Sequence, residues 1–389
     1  MADPTATIFE VSLILIGGAF VAVSICWKLG LPSVLGYLVA GMILGPSGTE
    51  ILTEGVGIDQ FAELGVVFLL FMLGLDFSSS RLVELRRMIL GMGLTQVAVV
   101  TVLVSFGAIY WLGLELLPAI LTGGAVAMSS TALCLKQLSD QHELGTRHGR
   151  IAIAVLLFQD LAAAVFLIVL GLAAGGASVT AIAQFGLGVG LLAICLVVMH
   201  VVMRPVSAWL ASYASGDLLQ LAALLIALGA AYVAGRAGLS PAIGAFLAGM
   251  LISESDARHV VEREVRPFRD LFVGIFFVSI GTQIDLLQLA HAPWQVLGWL
   301  LLIVALKFIV VALIVLLSSA PLTTALRAAT PLAQGGEFGL LLVSLGLKQG
   351  IFDPVVAQPL FIALGVSIFV APLLMKPRRS ISVALPKVR

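Results

Sequence analysis

Apolar stretches of about 20 residues recur along the whole chain, parted by short knots of proline, glycine and charge. Dividing the chain at these knots predicts thirteen membrane-spanning helices. The first six cover Ile8–Leu29, Ser33–Gly45, Gln60–Leu75, Met88–Leu112, Leu116–Leu135 and His148–Leu172, and the seventh covers Thr180–Met203. The last six cover Leu218–Ala234, Pro241–Ile252, Leu271–Ile284, Trp294–Leu317, Leu322–Leu347 and Val355–Leu374. Segments two, nine and ten are short for a full span and are expected to be tilted, broken or extended into their flanks.

Composition agrees with this division. The 389 residues are 60% hydrophobic and 11% charged, against about 25% charged in a soluble domain. A soluble protein with a large core is thereby excluded. Cys26, Cys134 and Cys195 all fall in apolar segments without paired spacing and read as small packing residues. The opening "MADPTATIFE" has no basic region and no cleavage pattern follows it, so the first apolar run is expected to be a retained helix.

The basic residues orient the chain. With the N-terminus outside, eighteen of the 21 Lys and Arg fall in inner loops or the tail, and only Arg236 and Lys348 in outer ones. Lys307 lies in mid-span. The N-terminus is therefore expected outside and the C-terminus in the cytoplasm, in a multi-pass protein of the inner membrane.

The two ends of the chain repeat one another. "KLGLPSVLGYLVAGMIL" (28–44) and "RAGLSPAIGAFLAGMLI" (236–252) share Gly, Leu, Gly, Ala, Gly and Met in register at an offset of 208. The next segments, "ELGVVFLLFMLGLDF" and "DLFVGIFFVSIGTQID", match in pattern. Seven spans separate equivalent elements, so the halves have opposite topology, as in many secondary transporters. The expected division is a first repeat at 1–177, a linker helix at 178–204, a second repeat at 217–375 and a short cytoplasmic tail at 376–389.

Paired interruptions mark where such transporters unwind their helices. Span five reads "LTGGAVAMSSTALCL", with Gly123 and Gly124 and then Ser129, Ser130 and Thr131. Span twelve reads "ATPLAQGGEFGLLLVSLG", with Pro331, Gly335, Gly336 and Glu337. Ser129–Ser130 and Gly335–Gly336 correspond at an offset of 206. Small residues also permit close helix packing, but packing does not account for polarity in the middle of both spans.

Three ionisable residues lie deep in spans: Asp160, Lys307 and Glu337. A charge at a bilayer centre costs about 2.5–3.5 kcal/mol on insertion scales and usually marks an ion path. A carboxylate there holds a proton or a small cation, but not both comfortably, and Lys307 is the expected counter-charge to Asp160. Competition for one site, coupled to a rocking motion, suffices for cation:proton exchange. Gln159 lies about 100° around the helix from Asp160, where it would orient the carboxylate or lend a carbonyl oxygen, a hard ligand for an alkali cation.

"LPSVLGYLVAGMILGP", "FAELGVVFLLFMLGLDF", "AMSSTALCLKQL", "GRIAIAVLLFQDLAA", "PFRDLFVGIFFVSIGTQID", "LKFIVVALIV" and "AQGGEFGLLL" follow one another along nearly the whole chain. Together they resemble the monovalent cation:proton antiporter-2 family, in particular its Kef-type potassium:proton branch. The resemblance implies an all-α sodium:proton antiporter-like fold, with two crossed unwound helices at the "SSTA" and "GGEF" stretches. It makes Asp160 the ion and proton carrier, with Lys307 as the core lysine. It implies a homodimer whose transport core moves against a scaffold of the remaining helices.

"QD" where sodium-type relatives carry "ND" or "DD" favours K⁺ over Na⁺, with Na⁺/H⁺ exchange as the alternative. No glycine-rich dinucleotide fingerprint follows a strand. A transport domain without the nucleotide-binding regulatory domain is expected, and any regulator would be a separate cytosolic subunit docking on the inner loop at 253–270. No cofactor is expected beyond the transported K⁺ or Na⁺ and H⁺, and the partners are membrane lipid and a second copy, not nucleic acid. A cation channel would not need a titratable Asp–Lys pair, and no "TVGYG" filter appears. An organic-anion symporter on a similar scaffold would not need the Lys307 counter-charge. An intramembrane enzyme is disfavoured, since there is no "HExxH" and no second carboxylate adjacent to Asp160.

Overall fold

The computed structural model describes residues 4–29, 31, 33–51, 58–76, 87–174, 216–236, 241–253, 255, 258–284 and 292–374. The predicted seventh span, the linker, the tail and Cys195 lie outside these residues. Among the described residues the chain is all helix. The first half supplies α1 (Pro4–Lys28), α2 (Ser33–Leu44), α3 (Ile58–Asp76), α4 (Leu94–Leu112), α5 (Leu116–Ala127), α6 (Thr131–Asp140) and α7 (Arg147–Ala174), with a π turn, Ile89–Gly93, leading into α4. The second half supplies α8 (Gly216–Arg236), α9 (Pro241–Ser253), α10 (Arg258–Thr282), α11 (Pro293–Leu317), α12 (Leu322–Leu332), α13 (Glu337–Lys348) and α14 (Pro354–Leu374).

A bilayer core leaves backbone groups no water to bond, so apolar runs of this length become helices. Among the described residues, five stretches are individually long and apolar enough to cross: Ile89–Leu112, Arg147–Gly171, Leu218–Arg236, Pro293–Leu317 and Pro354–Ala371. The predicted spans five and twelve are each two half-helices, α5 with α6 and α12 with α13. The short tenth segment is extended into its flank: α10 begins at Arg258, thirteen residues before the apolar run, and carries Pro267 inside it.

The helices sort into two groups. α3 packs on α9 and α10, α2 on α1 and α10, and α8 on α9. In the other group α4 packs on α5, α11 on α12 and α14, α7 on α12 and α13 on α5. The groups meet where α9 touches α7, α10 touches α13 and α2 touches α14. A carboxylate, a lysine and two helix breaks thus fall in the second group.

Close crossings in the first group use the repeated glycines. A Cβ at Gly41 of α2 would run into the Val278 carbonyl and lie 2.8 Å from the Gly281 Cα on α10. A Cβ at Gly249 of α9 would run into the Phe71 carbonyl and lie 3.0 Å from the Gly74 Cα on α3. Gly41 and Gly249 are equivalent in the two repeats, and so are the helices they cross. One crossing is therefore built twice, each time between a helix of one half and a helix of the other.

Candidate functional site

The first break is extended backbone, with φ −72° and ψ 142° at Met128 and φ −70° and ψ 108° at Ser130. The second ends at Gly336, with φ −136° and ψ 166°. These are values any residue adopts. Gly123 and Gly124 lie inside α5 instead, where a Cβ on the first would press on the Thr101 carbonyl and on the second would meet the Phe166 ring at 2.7 Å. They are packing glycines. Gly336 serves the crossing, because a Cβ there would lie 2.5 Å from the Ser129 carbonyl carbon. The two breaks thus cross in contact.

Each break strips backbone groups of helical partners, and a buried unpaired group is costly. The crossing itself satisfies some of them: the Ser130 N–H donates to the Gly335 carbonyl at 3.1 Å, and the Ser129 hydroxyl to the Leu332 carbonyl at 2.9 Å. The Ser130 hydroxyl accepts from the Leu133 N–H at 3.3 Å, capping α6. The Ser129 N–H donates to Gln159 Oε1 at 2.8 Å, and the Gly335 N–H to the Ser367 hydroxyl, also at 2.8 Å. Ser129 and Gly335 are equivalent by the repeat, and their receivers stand on the equivalent helices α7 and α14.

Lys307 is fully buried, and its Nζ donates to the carbonyls of Met128 and Gln334. Those two residues are also equivalent at the offset of 206. They follow the C-terminal ends of α5 and α12, where the helix dipole is negative, so one ammonium serves both ends. The sequence suggested a counter-charge to Asp160; the bonds of Lys307 to these two carbonyls tie the two breaks together.

Asp160 is 4% exposed. The Thr131 hydroxyl, on the first residue of α6, donates to its Oδ1 at 3.0 Å and lies 3.3 Å from Oδ2. A carboxylate facing a helix N-terminus gains from the positive end of that dipole. Glu337, buried as well, is the first residue of α13 and lies in that helix's own first turn, at the second positive end. Gln159 is engaged at both ends of its amide: Oε1 takes the Ser129 N–H, and Nε2 donates to Gln96 Oε1 at 2.8 Å. Its amide thus links the break to Gln96.

Sequence reasoning missed four residues here. Gln96 completes the amide chain by donating to the Ala127 carbonyl at 3.2 Å. Ser367 receives the Gly335 N–H. Gln334 Nε2 lies 3.4 Å from Cys134 Sγ, and that thiol, expected only to pack, donates to the Pro331 carbonyl at 2.8 Å. A lone amide in an apolar span was the signal for Gln96. A serine in mid-span, 208 residues after Gln159, was the signal for Ser367.

Residues 12–377 match the family described as sodium/hydrogen exchanger, transmembrane. The chain belongs to that family. Within it, this exchanger-family chain is 37% identical over 350 residues to "K(+) efflux antiporter 1, chloroplastic" of Arabidopsis thaliana, across 87% of its own length and 29% of the relative's. It is 34% identical over 368 residues to "Glutathione-regulated potassium-efflux system protein KefC" of Salmonella heidelberg (strain SL476), covering 94% of the chain and 59% of the relative. It is 37% identical over 372 residues to "Putative K(+) efflux antiporter KefB" of Alkalimonas amylolytica, covering 94% and 56%. The chain thus spans roughly a third to three-fifths of the length of these relatives. Its fold matches the sodium proton antiporter MjNhaP1 of Methanocaldococcus jannaschii with a TM-score of 0.69 at 18% identity, over 95% of this chain and 98% of that one. The sodium:proton antiporter-like fold expected from the sequence is therefore the fold found.

Proposed function

We propose that this chain is a secondary active antiporter exchanging K⁺ for H⁺ at Asp160 by alternating access. The observation that carries the proposal is a buried carboxylate beside the crossing of two helix breaks, touching the hydroxyl at the N-terminal end of one half-helix. Such a carboxylate can lose a proton only if a cation or another charge replaces it, because an unpaired charge at that depth is costly. Proton and cation therefore compete for one site.

The exchange follows from that competition. With Asp160 protonated, the Thr131 hydroxyl faces a neutral acid. Release of the proton leaves a carboxylate that takes the cation, and the loaded group of helices moves against the other group to face the opposite side. K⁺ is favoured over Na⁺ by the K(+) efflux names of relatives at 34–37% identity and by Gln159 before Asp160. The proposal includes a homodimer in the inner membrane, with the N-terminus outside and a separate cytosolic subunit docking at 253–270.

The test is proton-gradient dequenching in proteoliposomes, titrated with K⁺, Na⁺ and Li⁺. Cation-dependent dequenching should be strongest with K⁺ in the wild type and absent in Asp160→Asn, which keeps shape and removes the exchangeable charge. A mutant exchanging at the wild-type rate would sink the assignment to Asp160. Stronger dequenching with Na⁺ would replace the cation. Cation current without proton movement would indicate a channel.

A further inference from the structure

Three residues of one broken segment are gripped from three different helices. The Ala127 carbonyl accepts from Gln96 on α4, the Met128 carbonyl from Lys307 on α11, and the Ser129 N–H donates to Gln159 on α7. Two of these grips are a single chain. It runs from the Ser129 N–H to Gln159 Oε1, from Gln159 Nε2 to Gln96 Oε1, and from Gln96 Nε2 to the Ala127 carbonyl. A backbone donor at one end and a backbone acceptor at the other fix which way both amides point. Neither amide can flip without leaving two buried groups mispaired.

The approach of α4 that permits this is built in. Gly93 closes the π turn one helical turn before Gln96, and a Cβ there would overlap Phe158, the neighbour of Gln159. Gln96 is completely buried in α4, whose other buried residues are apolar except Ser105. An amide so placed in a span has no solvating role. Its partners are the break itself and the residue preceding Asp160.

We propose that Gln96 is a positioning residue for the cation site. It acts through Gln159 and the Ala127 carbonyl to set the backbone of the first break, and with it the distance between Thr131 and Asp160. The inference rests on the antiporter reading above and adds a residue to it. Removing Gln96 should loosen the site that the bare cation must fit, while leaving the moving helices and the titrating carboxylate in place. The effect therefore belongs in apparent affinity and ion preference, not in turnover.

The experiment compares wild type, Gln96→Met, Gln159→Met and the double variant by dequenching in proteoliposomes over a range of K⁺ and Na⁺. Gln96→Met should raise the apparent KM for K⁺ about five- to tenfold, as expected for one buried hydrogen-bond chain, and narrow the K⁺/Na⁺ ratio. Its maximal rate should stay within about twofold of wild type. The double variant should be no weaker than Gln159→Met alone, because both cut one chain. Gln96→Asn, which keeps the amide but shortens its reach, should shift KM in the same direction and serves if the Met variant does not fold. A folded variant with wild-type KM and ion ratio, or one losing only maximal rate, would overturn the proposal. Wild-type protein without cation-dependent proton flux would instead overturn the antiporter reading.

Discussion

Lys307 and Thr131 carry separable roles, and substitutions can tell them apart. The Lys307 ammonium donates to two buried carbonyls at once, and leaving one buried group unpaired costs roughly 1–3 kcal/mol. Lys307→Met should therefore lose on the order of 3 kcal/mol of stability, read as a lowered Tm in detergent. A counter-charge role alone predicts that adding Asp160→Asn restores the Tm, since both charges then vanish. The carbonyl bonds predict that the double variant stays destabilised; full restoration would reject them. Thr131→Val keeps shape and removes the hydroxyl that donates to Asp160. A hydrogen bond to a charged group contributes about 1.5–3 kcal/mol, so the apparent KM for the cation should rise about tenfold or more. An unchanged KM would remove Thr131 from the site.

At the scale of the element, the crossing depends on Gly336 lying flat against the Ser129 carbonyl. Gly336→Ala meets no conformational barrier, since its φ of −136° suits any residue. Its methyl must instead push the two breaks apart, stretching the 3.1 Å bond from Ser130 to Gly335. It should lower Tm and reduce exchange together, whereas Gly123→Ala, against the Thr101 carbonyl, should lower Tm with a smaller loss of transport. Equal, undiminished transport in Gly336→Ala would deny the contact its importance. The breaks themselves were legible because polar residues stood in mid-span in both halves. Which small residues broke the helix was less legible, because Gly123–Gly124 and Gly335–Gly336 look alike in sequence. Only the neighbouring carbonyl or ring says whether a missing Cβ serves packing or crossing. Gln96 and Cys134 escaped for the same reason: one buried polar atom in an apolar span acquires meaning from a partner 31 or 197 residues away. Asp160 needed no partner to be noticed, since the cost of its burial is written in its own segment.

For the whole molecule, the repeat turns one solution into two. Gly41 on Gly281 and Gly249 on Gly74 form matched crossings in one group of helices, while Met128 and Gln334, and Ser129 and Gly335, are matched at the breaks. Symmetry fails at the carboxylate: where α7 offers Gln159 and Asp160, α14 offers Ser367. A two-fold scaffold thus holds a one-fold charge, and that asymmetry bears on stoichiometry. Exchange at Asp160 replaces one proton by one cation, so the site carries the same charge in both directions. The acceptors of Lys307 are backbone carbonyls, whose charge does not change with the state of Asp160, so Lys307 has no need to release a proton when the cation arrives. Gln159 cannot titrate. Exchange should therefore be electroneutral, one proton per cation. Each net charge moved would be worth about 2.3 kcal/mol per 100 mV, so a departure is easily measured. In proteoliposomes, a potassium-independent clamp of the membrane potential should leave the exchange rate unchanged. Voltage-dependent rates would refute electroneutrality and direct attention to Glu337, the buried acid at the start of α13. In that event Glu337→Gln should abolish the voltage dependence while leaving exchange at Asp160 intact.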